Sequence, residues 1–123
     1  MRTLFLPLIA LTSCGSGTAK ISADECWTLS IGQQVEGTAI LHAYAGEGCI
    51  ECGAYLTSDR CPGTTGFATA NEAVDEAYDK IIHASRPDDS EFISRKVRLS
   101  GRVIANGATG KPMVQAGYLK LAD

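Results

Sequence analysis

Thr69-Ala70-Asn71-Glu72-Ala73-Val74-Asp75-Glu76-Ala77-Tyr78-Asp79-Lys80-Ile81-Ile82 is the stretch on which the fold turns. Ala70, Ala73, Val74, Ala77, Tyr78, Ile81 and Ile82 recur at spacings of three and four, which sets them on one face of an amphipathic helix. Glu72, Asp75, Glu76, Asp79 and Lys80 fall on the other face. Thr69 and Glu72 have the spacing of a capping box, and the carboxylates come early, where the helix dipole favours them. Arg86-Pro87 ends the pattern, because the residue before proline avoids helical geometry.

The sequence around this helix reads with period two. From Gln34 to Tyr44, Val35, Gly37, Ala39, Leu41 and Ala43 share one face and Glu36, Thr38, Ile40, His42 and Tyr44 the other, the signature of a strand. Gly46-Glu47-Gly48 is a turn signal, residues 53–58 form a second strand, Arg60-Cys61-Pro62-Gly63 turns again, and residues 64–68 form a third. Beyond the helix, Pro87-Asp88-Asp89-Ser90 is a polar loop. Val97, Leu99, Gly101, Val103 and Ala105 then alternate with Lys96, Arg98, Ser100, Arg102 and Ile104. Asn106-Gly107-Ala108-Thr109-Gly110 carries a hairpin turn and Met113 to Leu121 returns. The order strand, strand, strand, helix, strand, strand over about residues 33–122 resembles that of an OB-fold, a five-stranded barrel. The expectation is mainly β with one helix (α+β): a small OB-like antiparallel β-barrel of order β-β-β-α-β-β. A four- or five-stranded antiparallel sheet packed by one helix is the alternative.

The first residues read as an address. Met1-Arg2-Thr3 is a short positive start, and Leu4 to Leu11 is an apolar run much shorter than the ~20 residues of a membrane span; it suits the core of a secretory signal. Leu11-Thr12-Ser13-Cys14 resembles the lipobox of bacterial membrane lipoproteins. That resemblance implies cleavage before Cys14, lipid on the Cys14 thiol, and, with Gly15 following, an outer-membrane destination facing the periplasm. Residues 1–13 are thus expected to be a signal peptide, 14–23 a flexible leash opening on Gly15-Ser16-Gly17, and 24–123 one small domain. A domain of this size buries roughly two-thirds of its unfolded surface, so covalent staples help it.

With Cys14 set aside, Cys26, Cys49, Cys52 and Cys61 remain, an even number in an oxidising compartment, which reads as two structural disulfides. Three pairings are open; Cys49–Cys52 with Cys26–Cys61 is preferred. The alternative is a redox centre at Cys49-Ile50-Glu51-Cys52. A reactive CxxC wants its first cysteine at a helix N-terminus, whereas this one follows a glycine turn and enters a strand. Zinc would want two close pairs, and Cys26 and Cys61 are lone, so no metal and no other cofactor is expected.

The net charge of −3 disfavours nonspecific binding to nucleic acid. The histidines, His42 and His83, are isolated from any nucleophile pattern. What remains is a binding face. Tyr44, Tyr55 and Phe67 are its candidate aromatics, and Arg98 and Arg102, with Lys96, its candidate cations. The plain reading of those cations is a charged face that keeps a strand soluble; the functional one is a patch for an acidic glycan or an envelope protein. The chain is accordingly expected to be an envelope lipoprotein with a non-enzymatic binding or structural role, tethered to the membrane through Cys14. The alternative is an exported thiol–disulfide protein using Cys49 and Cys52.

Overall fold

The computed structural model describes residues 17–44, 53–85 and 92–122. The expected signal peptide, Cys14, the opening of the expected leash, Gly46-Glu47-Gly48, Cys49, Cys52 and the expected loop at Pro87 lie outside the described residues. The chain forms β1 (Thr18–Ile21), β2 (Gln34–Tyr44), β3 (Ala54–Thr57), β4 (Thr65–Thr69), α1 (Glu72–Ser85), β5 (Phe92–Ala105) and β6 (Pro112–Leu121). Mainly β with one helix therefore stands.

The expected OB-like antiparallel β-barrel does not. The chain builds one six-stranded mixed sheet in the order β1-β2-β3-β4-β6-β5, with β2 also paired to β5. Two of its pairings are parallel, β1 with β2 and β4 with β6. Both follow from connection length. A strand returns parallel only through a crossover of about a dozen residues or more; the segment between Ile21 and Gln34 supplies one crossover, and α1 with β5 supplies the other. β1 also lies inside the stretch expected to be a leash. It adds a strand that the expected order lacks and, among the described residues, leaves an edge of the sheet unpaired.

Gly37 admits β1. A Cβ at Gly37 would lie 1.9 Å from the Ile21 carbonyl oxygen, and its φ of +140° is one that side-chain-bearing residues rarely adopt. The same device operates between β5 and β6. A Cβ at Gly101 would lie 2.1 Å from the Gln115 carbonyl oxygen, at the register shift between Ser100 and Gly101. This β-bulge moves the inward phase of β6, so Val114 and Ala116 face the core and then Leu119 does.

The core lies between the sheet's inner face and α1. Val35, Ala39, Leu41, Leu56, Val97, Leu99, Val103, Val114 and Ala116 meet there, all almost fully buried. α1 packs on β6, β4 and β5 through Val74 and Ile81. Ile82 joins a smaller cluster with Ala43 and Ile93. The helix starts later than the capping-box spacing implies: Asn71, not Thr69, is its cap. The Asn71 side-chain oxygen accepts from the Val74 N–H at 3.1 Å, while the Thr69 hydroxyl donates to Asp75. Asn71→Ala is expected to cost about 1 kcal/mol, readable as a lower urea midpoint with an unchanged m-value.

The segment between β1 and β2 folds across one end of the core. Ala23 is 1% exposed and Leu29 is buried. The Ala23 N–H donates to the Thr38 hydroxyl at 3.0 Å, the Asp59 N–H donates to the Ala23 carbonyl at 2.8 Å, and Gly32 and Gln33 bond the backbone of Val103. Cys26 and Cys61 form a disulfide that fastens this segment to the β3–β4 loop, beside the half-buried Trp27.

Candidate binding face

The register of four strands lays out the outer face of the sheet row by row. Lys20, Glu36, Ser100 and Tyr118 form one row across β1, β2, β5 and β6. Thr38, Arg98 and Lys120 form the next, and Ile40 with Lys96 the one beyond it. On the other side of the first row stand Gln34, Arg102 and Gln115. The basic side chains of these rows, Lys20, Lys96, Arg98, Arg102 and Lys120, are all exposed. Lys20 is joined to Glu36 at 2.6 Å, the one ion pair between described residues. The acidic side chains of α1 lie on the opposite, solvent side of the helix. A chain of net charge −3 thus concentrates positive charge on this sheet face.

Arg98 and Lys120 face each other directly across β5 and β6. Like charges in that position weaken a sheet. Edge protection does not account for Arg98, because β5 is paired on both sides there, with β2 and with β6, whereas Lys120 lies past the stretch of β6 that pairs with β4. A shallow hollow of about 390 Å³ opens among Lys20, Glu36, Arg98, Ser100 and Tyr118, with Gly37 and Ile21 alongside. Tyr118 is 45% exposed at its rim.

The aromatic candidates separate. Tyr44 meets Phe92 edge to face and Tyr55 stacks on His42, centroids 4.8 Å apart, so both tyrosines lie toward the far end of the outer face. At about 3.3 Å per residue, Phe92 is about 20 Å along β5 from Arg98, and Ser94, in the row of Tyr55, about 13 Å, so these rings do not share a site with Arg98 and Arg102. Phe67 is not on the face at all. It is 6% exposed, stacks on Tyr78 inside the core and pairs in register with Val114, because β4 turns this residue inward beneath α1. Burial, with Asp79 alongside, holds the Tyr78 phenol above its usual range. Lys120, Tyr118 and Lys20 were missed in the sequence. Alternation around the β6 bulge hides the first two, and Lys20 sits in the unforeseen β1.

His42 is tied on both ring nitrogens, with Nε2 2.7 Å from the Thr57 hydroxyl and Nδ1 2.8 Å from the Ser94 hydroxyl. A neutral imidazole satisfies this arrangement, donating to one hydroxyl and accepting from the other. Partial desolvation between β3 and β5 lowers the His42 pKa from its ordinary 6.5. The unfolded chain therefore takes up a proton first as pH falls, and stability rises with pH between the lowered folded value and 6.5. His42→Gln is expected to abolish that slope; urea titrations from pH 5 to 7.5 check it. Ser94 and His42 lie on the outer face of the sheet, where the imidazole spends one nitrogen on each of two hydroxyls.

Among the described residues no helix is long and apolar enough to cross a membrane, and no three His, Cys, Asp or Glu side chains converge as metal ligands do. Cys14, Cys49 and Cys52 lie outside the described residues; Cys26 is exposed and Cys61 partly so. Comparison with family models, curated proteins and solved structures finds no match for the chain. The resemblances to bacterial lipoproteins, resting on Leu11-Thr12-Ser13-Cys14, and to the OB-fold therefore gain no family behind them. With the mixed sheet replacing the antiparallel barrel, the chain is assigned to neither.

Proposed function

We propose that this chain is a non-enzymatic binding module of the cell envelope, attached to its membrane through Cys14, whose working surface is the basic outer face of β5 and β6. One observation carries the reading: Arg98, on a strand paired on both sides, stands opposite Lys120 and shares its face with Lys20, Lys96 and Arg102, an accumulation of like charge that weakens a sheet. The Cys26–Cys61 disulfide fits an oxidising compartment. At pH 7 and low salt the protein is expected to be retained on a carboxylate matrix despite its negative net charge. A variant with Arg98→Gln, Arg102→Gln and Lys120→Gln should pass straight through. Passage of the parent protein in the unbound fraction would defeat the binding surface. An intact mass of membrane-extracted protein that lacks acyl groups on Cys14 would defeat the attachment.

A second reading, thiol–disulfide exchange, is favoured by the exposed position of Cys26 in a formed disulfide. It extends to Cys49 and Cys52 if they cycle as a pair. Reduction potentials below about −300 mV would mark these bonds as structural and end it.

A further inference from the structure

We infer that the hollow bounded by Lys20, Glu36, Arg98, Ser100 and Tyr118 is a subsite for a carboxylated sugar, a uronic acid unit of an acidic glycan. The inference rests on the binding-module reading and gives it a ligand class. Three kinds of group stand together here, and each demands something different of an occupant. Arg98 offers a planar, forked donor set suited to a carboxylate. Glu36 spends Oε2 on Lys20 at 2.6 Å, leaving its other oxygen to accept from a hydroxyl. Tyr118, 45% exposed at the rim, offers a ring face against which an apolar sugar face packs.

An occupant must therefore carry an anionic group, hydroxyl donors and a flat apolar side within one small unit. Acidic polypeptides such as poly-glutamate bring the charge without the hydroxyls that would answer the second Glu36 oxygen and offset its repulsion of a carboxylate. Neutral sugars bring hydroxyls and a packing face, yet leave Arg98 unanswered. Lys120 and Lys96, in the following rows, extend positive charge along β5 and β6 for the next acidic units of a polymer. Gly37 lines the β1 side of the hollow, where its missing side chain lets the Ile21 backbone and Lys20 come close.

Titration calorimetry of the full chain with tri-galacturonate, with galactotriose and with a short poly-glutamate separates the cases. Tri-galacturonate is expected to bind at least about tenfold more tightly than either control, and Arg98→Gln to remove about tenfold of that affinity. Tyr118→Ala should weaken the acidic sugar while leaving poly-glutamate unchanged. Glu36→Gln should move the two ligands in opposite directions, weaker for tri-galacturonate and tighter for poly-glutamate. Each variant sits on the exposed face, and an unchanged circular dichroism melt shows that the fold persists. Equal binding of poly-glutamate and tri-galacturonate would overturn the sugar subsite while leaving a basic binding face in place. Retention on the carboxylate matrix without binding of tri-galacturonate would do the same. Loss of matrix retention as well would bring down the binding-module reading together with it.

Discussion

Gly101→Ala is expected to lower the stability of the domain by about 3–5 kcal/mol, at the severe end for a single substitution. The new Cβ would stand 2.1 Å from the Gln115 carbonyl oxygen and 2.8 Å from the Ala116 Cα. Both are backbone atoms, so no side chain can swing aside to relieve the contact. β5 and β6 would have to separate at the bulge that sets their register, and Val103, Val114 and Leu99 pack directly on either side of it. For a domain of about a hundred residues this corresponds to a fall in midpoint of about 15 °C or more. Gly117→Ala provides the control. It lies in the same strand pair, but its added Cβ meets nothing within 4 Å, and its effect should stay within about 0.5 kcal/mol. Thermal melts of the two variants check the pair of expectations. Equal effects would mean that the bulge tolerates a side chain and that the close approach of the strands is not what holds the register.

Removing the clasp is the other large effect. Cys26 and Cys61 are 35 positions apart and join the segment ahead of β2 to the β3–β4 loop. Closing a loop of that length restricts the unfolded chain by an amount worth about 3–4 kcal/mol in the chain-entropy model. Cys26→Ser with Cys61→Ser should therefore lower the midpoint by about 15–25 °C in non-reducing buffer. The segment is also held by the Ala23–Thr38 and Asp59–Ala23 hydrogen bonds and by burial of Leu29. The folded core is accordingly expected to persist at 25 °C, with the change concentrated around Trp27. Fluorescence of that single tryptophan would report local loosening separately from global unfolding. An unchanged midpoint in the double variant would overturn the chain-entropy account of this bond.

How much of this was legible in advance varies element by element. The alternation from Gln34 to Tyr44 placed Val35, Ala39, Leu41 and Ala43 inward, and all four are buried. The helical face carried by Val74, Ala77, Tyr78, Ile81 and Ile82 packs on the core, while Ala70 and Ala73, at its beginning, are exposed. The cap was misplaced by two residues, since Thr69 and Asn71 are both good caps in isolation and only the chain's departure from β4 decides between them. The expected place of Phe67 on a binding face fails because a strand of five residues has too little alternation to show its inward side. His42 on the polar side of β2 was legible; its ties to Thr57 and to Ser94, 52 positions away, were not.

Periodicity in the sequence determined which segments become helix and strand and which of their sides are apolar. That information is local: it repeats every two to four residues and needs no neighbour to express it. Only the tertiary structure decided that Thr18–Ile21 is a strand, that the sheet is mixed, and that Lys20, Arg98, Tyr118 and Lys120 share one face. Those outcomes depend on which backbones approach closely enough to bond. At β1 the approach is permitted by a missing side chain at Gly37, in a different strand. A close contact between distant segments leaves no periodic trace in either of them, so it becomes visible only once the strands are laid side by side.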